Sequence, residues 1–369
     1  MKEKKRKLDN IISKALREEK LSTEEIMFLL GLNKVDQMDK LFAAAKSLRE
    51  RYFSNKIFMY GFIYTSTYCR NDCSFCFFRQ SNSESQRYRK AKHEIIATAS
   101  RLADSGVHLI DLTMGEDPAL FNGSGAGFDR LVDLIKSVKK AAGLPIMVSP
   151  GVVPESVLGR MIEAGARWYA CYQETHTRWL FNQLRPGQNY DLRLETKRKA
   201  RDLGLLIEEG LLCGVGETPE DLVHSMSVMQ ALNADQVRVM NFVPQPGTPM
   251  EKNNSPDPQK EALIISVMRL VFPDRLIPAT LDVDGLSGLK KRLDAGANVV
   301  TSIIPRGHGL AGVAQHSLDI EAGRRTNTSV LEVLQTAGLQ SAKTEEYLAW
   351  INERQGATDA SNARGKIAC

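Results

Sequence analysis

From Lys56 onward, short runs rich in apolar, β-branched and aromatic residues alternate with amphipathic helical stretches. That alternation restricts the fold more than any other feature of the chain. The strand candidates are KIFMYGFIYTST, VHLIDLTM, PIMVSP, RWYACYQE, LLIEEGLLCG, QVRVMNFV, LIPATLD and NVVTSII. Helices such as HEIIATASRLADSG and PEDLVHSMSVMQAL lie between them. Several helical stretches close on a glycine just before the next strand, at Ser105–Gly106, Ala164–Gly165 and Leu203–Gly204. Strands joined through helices pair in parallel with right-handed crossovers. About eight such units predict an α/β fold, a (β/α)8 barrel over residues 56–327. A doubly wound open sheet is the alternative, but its dinucleotide fingerprint is missing: Gly214 to Pro219 (GVGETP) is a lone GxG, and NGSGAG follows no strand.

Residues 1–55 predict an N-terminal helical cap. Ser22 and Glu25 fit a capping box, Ile26, Met27, Leu29 and Leu30 follow, and Gly31 is a stop. A second helix runs to about Tyr52, with Leu41, Phe42, Ala45 and Leu48 at helical spacing. Residues 328–369 predict one or two helices and then a polar, mobile tail. The basic start, MKEKKRK, reads as a solvated, frayed terminus. With 49 basic against 44 acidic residues, the charge gives no reason to expect nucleic acid as a partner. No apolar run is long enough for a membrane span, and the start lacks the apolar core of a signal peptide. The expected location is therefore cytoplasmic, and six cysteines in 369 residues do not suggest a disulfide scaffold.

Three of those cysteines are crowded into TYCRNDCSFCFF, as Cys69, Cys73 and Cys76. A structural zinc site closes on four ligands, and no second pair stands at a partner spacing. A disulfide would leave one thiol over. Three thiolates on a 4Fe–4S cluster, with one iron left open, fit the count. The cluster of cysteines directly follows the first strand, at the mouth where barrel enzymes place their chemistry.

The spacing CxxxCxΦC, with the aromatic Phe75 before the last cysteine, resembles the signature of the radical S-adenosylmethionine superfamily. The resemblance implies that S-adenosylmethionine binds the open iron and is cleaved by one electron to a 5′-deoxyadenosyl radical. It also implies an electron donor such as a flavodoxin or ferredoxin. Gly115 and Glu116 in DLTMGEDP resemble the element that holds the cofactor's amino group. Glu174, and Arg193 beyond the LRP segment, match cofactor contacts of the branch containing the hydrogenase maturase and biotin synthase. Met240 is expected beside the adenine, with Ser149 and Tyr172 as weaker candidates.

Longer motifs, among them STYCRNDCSFC, LPIMVSPG, VRVMNFVPQPGTP, RLIPATLDVDG and LDAGANVVTSIIP, resemble the methylornithine synthase family over nearly the whole chain. That resemblance implies isomerisation of L-lysine to (3R)-3-methyl-D-ornithine in pyrrolysine biosynthesis. Its ligand residues fall on Asp111, Arg238, Thr280 and Asp282. Arg238 would grip the lysine carboxylate through two parallel bonds, and the two aspartates would hold ammonium groups. Where the family pattern has Ser, this chain has Thr280. An Arg238–Asp282 structural ion pair is the plainer reading of those two residues.

Two rivals follow from the same motifs. A sulfur-inserting enzyme like biotin synthase would need a second cluster or a sacrificial sulfur, which draws attention to Cys171, Cys213 and Cys369. Strand alternation would point Cys171 away from the barrel interior. A cluster-carrying scaffold without catalysis would have no use for lysine-matched charges. The six histidines, His108 and His176 included, follow no ligand spacing.

Overall fold

The computed structural model describes residues 2–123, 125–306 and 325–367. Three helices come first: α1 (Lys2–Leu16), α2 (Thr23–Leu30) and α3 (Val35–Phe53). The Ser22/Glu25 capping box is formed at the start of α2, and Gly31 closes it. The basic start is part of α1 rather than frayed.

Strands β1 (Lys56–Ser66), β2 (Leu109–Met114), β3 (Ile146–Ser149) and β4 (Ala166–Ala170) form the first half of the barrel. The second half is β5 (Leu206–Cys213), β6 (Gln236–Asn241), β7 (Pro278–Thr280) and β8 (Val299–Ile303). Around them lie α4 (Lys92–Asp104), α5 (Ala126–Ala142), α6 (Glu155–Glu163), α7 (Arg178–Leu184), α8 (Tyr190–Asp202), α9 (Pro219–Ala231), α10 (Pro258–Val271) and α11 (Leu289–Asp294). The chain ends in α12 (Asn327–Thr336), a short β9 (Gln340–Ser341) and α13 (Thr344–Ile367). Helix α13 runs through the stretch expected as a polar tail, and Cys369 lies outside the described residues.

All of the barrel strands pair in parallel, in the order β6-β5-β4-β3-β2-β1-β8-β7. The ring is nearly closed by a bridge from Gln236 to Leu276, where Val237 N donates to Leu276 O at 2.9 Å. This closure rules out the open doubly wound sheet. Period-2 alternation sends one set of side chains inward and the other against the helices. The inward set near the strand starts includes Tyr60, Leu109, Met147, Trp168, Leu206 and Val299, all buried. Each such side chain contributes about 1.5–3 kcal/mol by leaving water.

Helix α13 and the segment before it seal that end. Tyr347 Oη donates to Tyr60 Oη at 2.7 Å, and Trp350 stacks on Trp168 with ring centres 5.9 Å apart. His108 ties the same segment down: its Nδ1 accepts from Met59 N at 2.8 Å, and Nε2 lies 2.9 Å from Ala342 O. The strand starts are plugged in this way, and the cysteine loop stands at the other end of the barrel, beyond the end of β1.

Candidate active site

The cysteine loop leaves β1 at Ser66 and is clamped by α7: Ser74 N donates to Leu184 O at 2.8 Å, and Ser74 Oγ to Gln183 O at 2.6 Å. Cys69, Cys73 and Cys76 are free thiols bordering one cavity of about 150 Å³. Among the described residues, no three His, Cys, Asp or Glu side chains are gathered tightly enough for a single metal ion.

The segment after β2 lies flat against this loop, and only glycine permits it. A Cβ on Gly115 would stand 2.4 Å from Tyr68 O and 2.9 Å from Cys69 Cβ. Gly151, after β3 at φ +81°, leaves room for Glu116; a Cβ there would sit 2.0 Å from Glu116 Cγ. Glu116 is buried, yet its carboxyl is held below the usual range. Burial opposes its charge, but Arg193, then a hydrogen bond from Asn71, then Arg70 outweigh that. Arg193 Nη1 donates to Glu116 Oε1 at 2.8 Å, and Arg70 Nε to Oε2 at 3.1 Å. Two residues expected to touch the cofactor separately are therefore paired with each other.

Glu174 lies beyond the end of β4, at φ +67°, and bridges to Leu211 of β5. Burial raises its pKa, against the pull of Arg185, whose Nη2 donates to Glu174 Oε1 at 2.9 Å. Ser149 Oγ is buried without a partner among the described residues and faces the same cavity. Tyr172 divides its roles: its carbonyl accepts from Arg193 Nη2 at 2.9 Å, while its ring turns into the barrel.

A second cavity, of about 110 Å³, lies inside the barrel and holds Arg238 and Met240. Phe75, Thr113, Tyr172 and Glu174 line both cavities, so the two adjoin. In the inner cavity Arg238 Nε donates to Glu208 Oε1 at 2.7 Å, and Tyr172 Oη to Glu208 Oε2 at 2.7 Å. Arg238 Nη2 is buried with no partner among the described residues. Asp111 is 1% exposed, and its Oδ1 also has no partner among the described residues. Burial, and next the Glu208 carboxylate, push its pKa well above the usual range.

Asp282 lies just past β7 and not within it; its amide donates to Thr280 Oγ1 at 3.2 Å. Tyr64 Oη and Arg325 Nη1 donate to its Oδ1, and Ser302 Oγ to its Oδ2 at 2.8 Å. Burial works against its charge, but Arg325 and these donors hold the carboxyl low. The plain Arg238–Asp282 pair is thus absent: Arg238 pairs with Glu208, and Asp282 with Arg325.

Residues 63–229 match the radical SAM superfamily. Over 340 residues the chain is 42% identical to the 3-methylornithine synthase of Methanosarcina acetivorans, spanning 92% of this chain and 96% of that protein. The chain belongs to the 3-methylornithine synthase family. The crystal structure of a methylornithine synthase (PylB) superposes with a TM-score of 0.87 at 40% identity, covering 92% of this chain and 99% of that one. Further off, the [FeFe] hydrogenase maturase subunit HydE of Thermotoga maritima is 28% identical over 78% of this chain and 82% of its own length. Both the family and the barrel expected from the sequence are borne out. Radical SAM proteins use a 4Fe–4S cluster and S-adenosylmethionine. The three thiols, the glycine-lined cradle and the unpartnered Ser149 Oγ fit that pair.

The sequence reading missed Glu208, Arg325, Tyr64 and Arg185. Glu208 carried a signal: EE inside LLIEEGLLCG is acidic in an otherwise apolar strand. Arg325 carried none, because it stands in a linker after β8.

Proposed function

We propose that the protein is a radical mutase that isomerises L-lysine to (3R)-3-methyl-D-ornithine in pyrrolysine biosynthesis. Cys69, Cys73 and Cys76 would hold the cluster. Gly115, Ser149, Glu174 and Arg193 would surround S-adenosylmethionine, with Glu116 holding Arg193 in place. The cluster and S-adenosylmethionine, when bound, would supply a 5′-deoxyadenosyl radical as the acceptor of a hydrogen from the substrate side chain. An external electron donor of the flavodoxin or ferredoxin class would reduce the cluster.

The observation that carries the reading is the placement of Arg238 and Asp111. In a ring of eight strands β2 and β6 face each other, so these two residues stand on opposite walls. Each keeps a buried polar atom without a partner among the described residues. Unpaired buried polar groups are costly, so such atoms point to a ligand. Arg238 suits a carboxylate, and Asp111 an ammonium group.

Among the described residues, charge matches as well, with the Glu174–Arg185 pair of the same lining cancelling itself. Asp111, Glu208 and Asp282 set three carboxylates against the guanidiniums of Arg238 and Arg325, leaving one negative charge when all are ionised. Lysine, with two ammonium groups and one carboxylate, carries one positive charge. An isomerisation that breaks and remakes a carbon–carbon bond must also keep both halves in register. Anchors on opposite walls do that.

A ligand panel tests the assignment. Lysine should bind the reconstituted protein with S-adenosylmethionine present. Norleucine, lacking the side-chain ammonium, and cadaverine, lacking the carboxylate, should bind at least tenfold more weakly. Equal affinity for lysine and cadaverine would remove Arg238 from the substrate site.

A further inference from the structure

The segment Leu184–Gln188 reads LRPGQ and ends α7 by folding back over the cysteine loop. Gly187 at φ +76° lets the chain turn there, and Gln188 N donates to Arg185 O at 3.2 Å. Two side chains from this turn reach the same sulfur. Arg185 Nη1 donates to Cys73 Sγ at 3.4 Å, and Gln188 Nε2 donates to it at 3.0 Å. Cys73 is the buried member of the three cysteines, and Arg185 is only 8% exposed. The same guanidinium bonds Glu174 through Nη2, and it lies over the Phe75 ring at 5.4 Å. Among the described residues Gln188 Oε1 has no partner, and the amide's bond is the one to sulfur.

We propose that Arg185 and Gln188 set the reduction potential of the cluster through Cys73. The proposal rests on the reading of Cys69, Cys73 and Cys76 as cluster ligands. One-electron reduction, from a low-potential protein donor or from dithionite, adds negative charge to the cluster and its sulfurs. Hydrogen bonds to a ligating sulfur, and a cation beside it, stabilise the reduced form more than the oxidised form. Both residues therefore raise the potential. Arg185 contributes charge and a bond, and Gln188 a bond alone. Because Arg185 also holds Glu174, the carboxylate lining the cofactor cavity is tied to the sulfur whose electron density it tunes.

The test is an EPR-monitored redox titration of the reconstituted protein without S-adenosylmethionine, comparing wild type, Arg185→Met, Arg185→Lys and Gln188→Met. Iron and sulfide are counted first. Full clusters in the variants show that Cys69, Cys73 and Cys76 still ligate, so loss of the cluster reading and loss of the tuning role are separate results. Arg185→Met should disfavour reduction about tenfold, a fall of about 59 mV for one electron. Gln188→Met should lower the potential by less, and Arg185→Lys should recover part of the loss. A wild-type potential in Gln188→Met and Arg185→Met with full clusters would overturn the proposal. If Arg185→Met does not hold its iron, Gln188→Met and Arg185→Lys decide it by the same criterion.

Discussion

Arg238 Nε donates to Glu208 Oε1 at 2.7 Å, and Tyr172 Oη fills the other oxygen of the same carboxylate. Glu208 is wholly buried and so fixes Arg238 from behind, while Nη2 has no partner among the described residues. The pair holds the guanidinium charged: burial opposes the charge, but Glu208 outweighs burial.

Glu208→Gln removes the charge that holds this guanidinium in place while keeping the shape. Lysine affinity should fall by about 1–3 kcal/mol, the usual worth of a bond to a charged group. S-adenosylmethionine affinity and cluster content should not change. Anaerobic calorimetry with each ligand separates the two. A loss of cofactor binding instead would place Arg238 in the cofactor site.

Asp111 predicts a trade between stability and binding. Its pKa is raised on folding by burial, then by Glu208. A carboxyl raised in this way stabilises the fold fully only below the ordinary aspartate pKa, and that stabilisation is lost as pH climbs towards the folded value. Asp111→Asn escapes the loss. The substrate-free variant should therefore melt above wild type, by a margin that grows from about pH 5 to about pH 8. Its lysine binding should be lost, whereas wild-type lysine affinity should rise with pH, because the ammonium needs the ionised carboxylate. A melting difference that is flat with pH would show that Asp111 is not the strained group.

Cysteine substitutions separate the mutase from a sulfur inserter. Cys73→Ala should lose the brown chromophore, because no other thiol replaces that ligand. Cys171 is buried but, against the outward direction expected from alternation, borders the cysteine cavity, and Cys213 Sγ donates to Asn241 Oδ1 at 2.8 Å. Cys171→Ala and Cys213→Ala should each keep four irons per chain. A drop below four in either would call for a second cluster.

The plug at the strand starts is structural. Tyr347→Phe leaves the buried Tyr60 hydroxyl without its partner and should cost about 1–3 kcal/mol in chemical denaturation. Turnover at saturating lysine should stay within about twofold of wild type, since Tyr347 lies at the opposite end from the cysteine loop. A collapse of turnover with unchanged stability would mean that the barrel base communicates with the site.

The barrel was legible because βα alternation is a local signal repeated along the chain. All eight strand candidates formed, although β4 stops at Ala170, short of RWYACYQE, and β7 at Thr280. Those strands end where Glu174 and Asp282 turn inward to be held by Arg185 and Arg325, which is tertiary information. The residue identities in the site could be read, but their pairing could not. Glu116 with Arg193, Arg238 with Glu208 and Asp282 with Arg325 join segments 43 to 77 residues apart or strands from neighbouring units. Nothing in local periodicity states such a partner. The short β9 was missed for a similar reason: two residues have no period, and the strand exists only because Lys56 and Ile57 pair with it.

The central claim is that this site rearranges lysine without adding or removing atoms. Reconstituted protein, reductant, S-adenosylmethionine and lysine, incubated without oxygen, should give an amino acid of lysine's mass that co-elutes with authentic (3R)-3-methyl-D-ornithine. S-adenosylmethionine should be consumed far more slowly than product forms, because the hydrogen is returned. Deoxyadenosine released one-for-one with lysine loss, or a product of any other mass, would contradict the account.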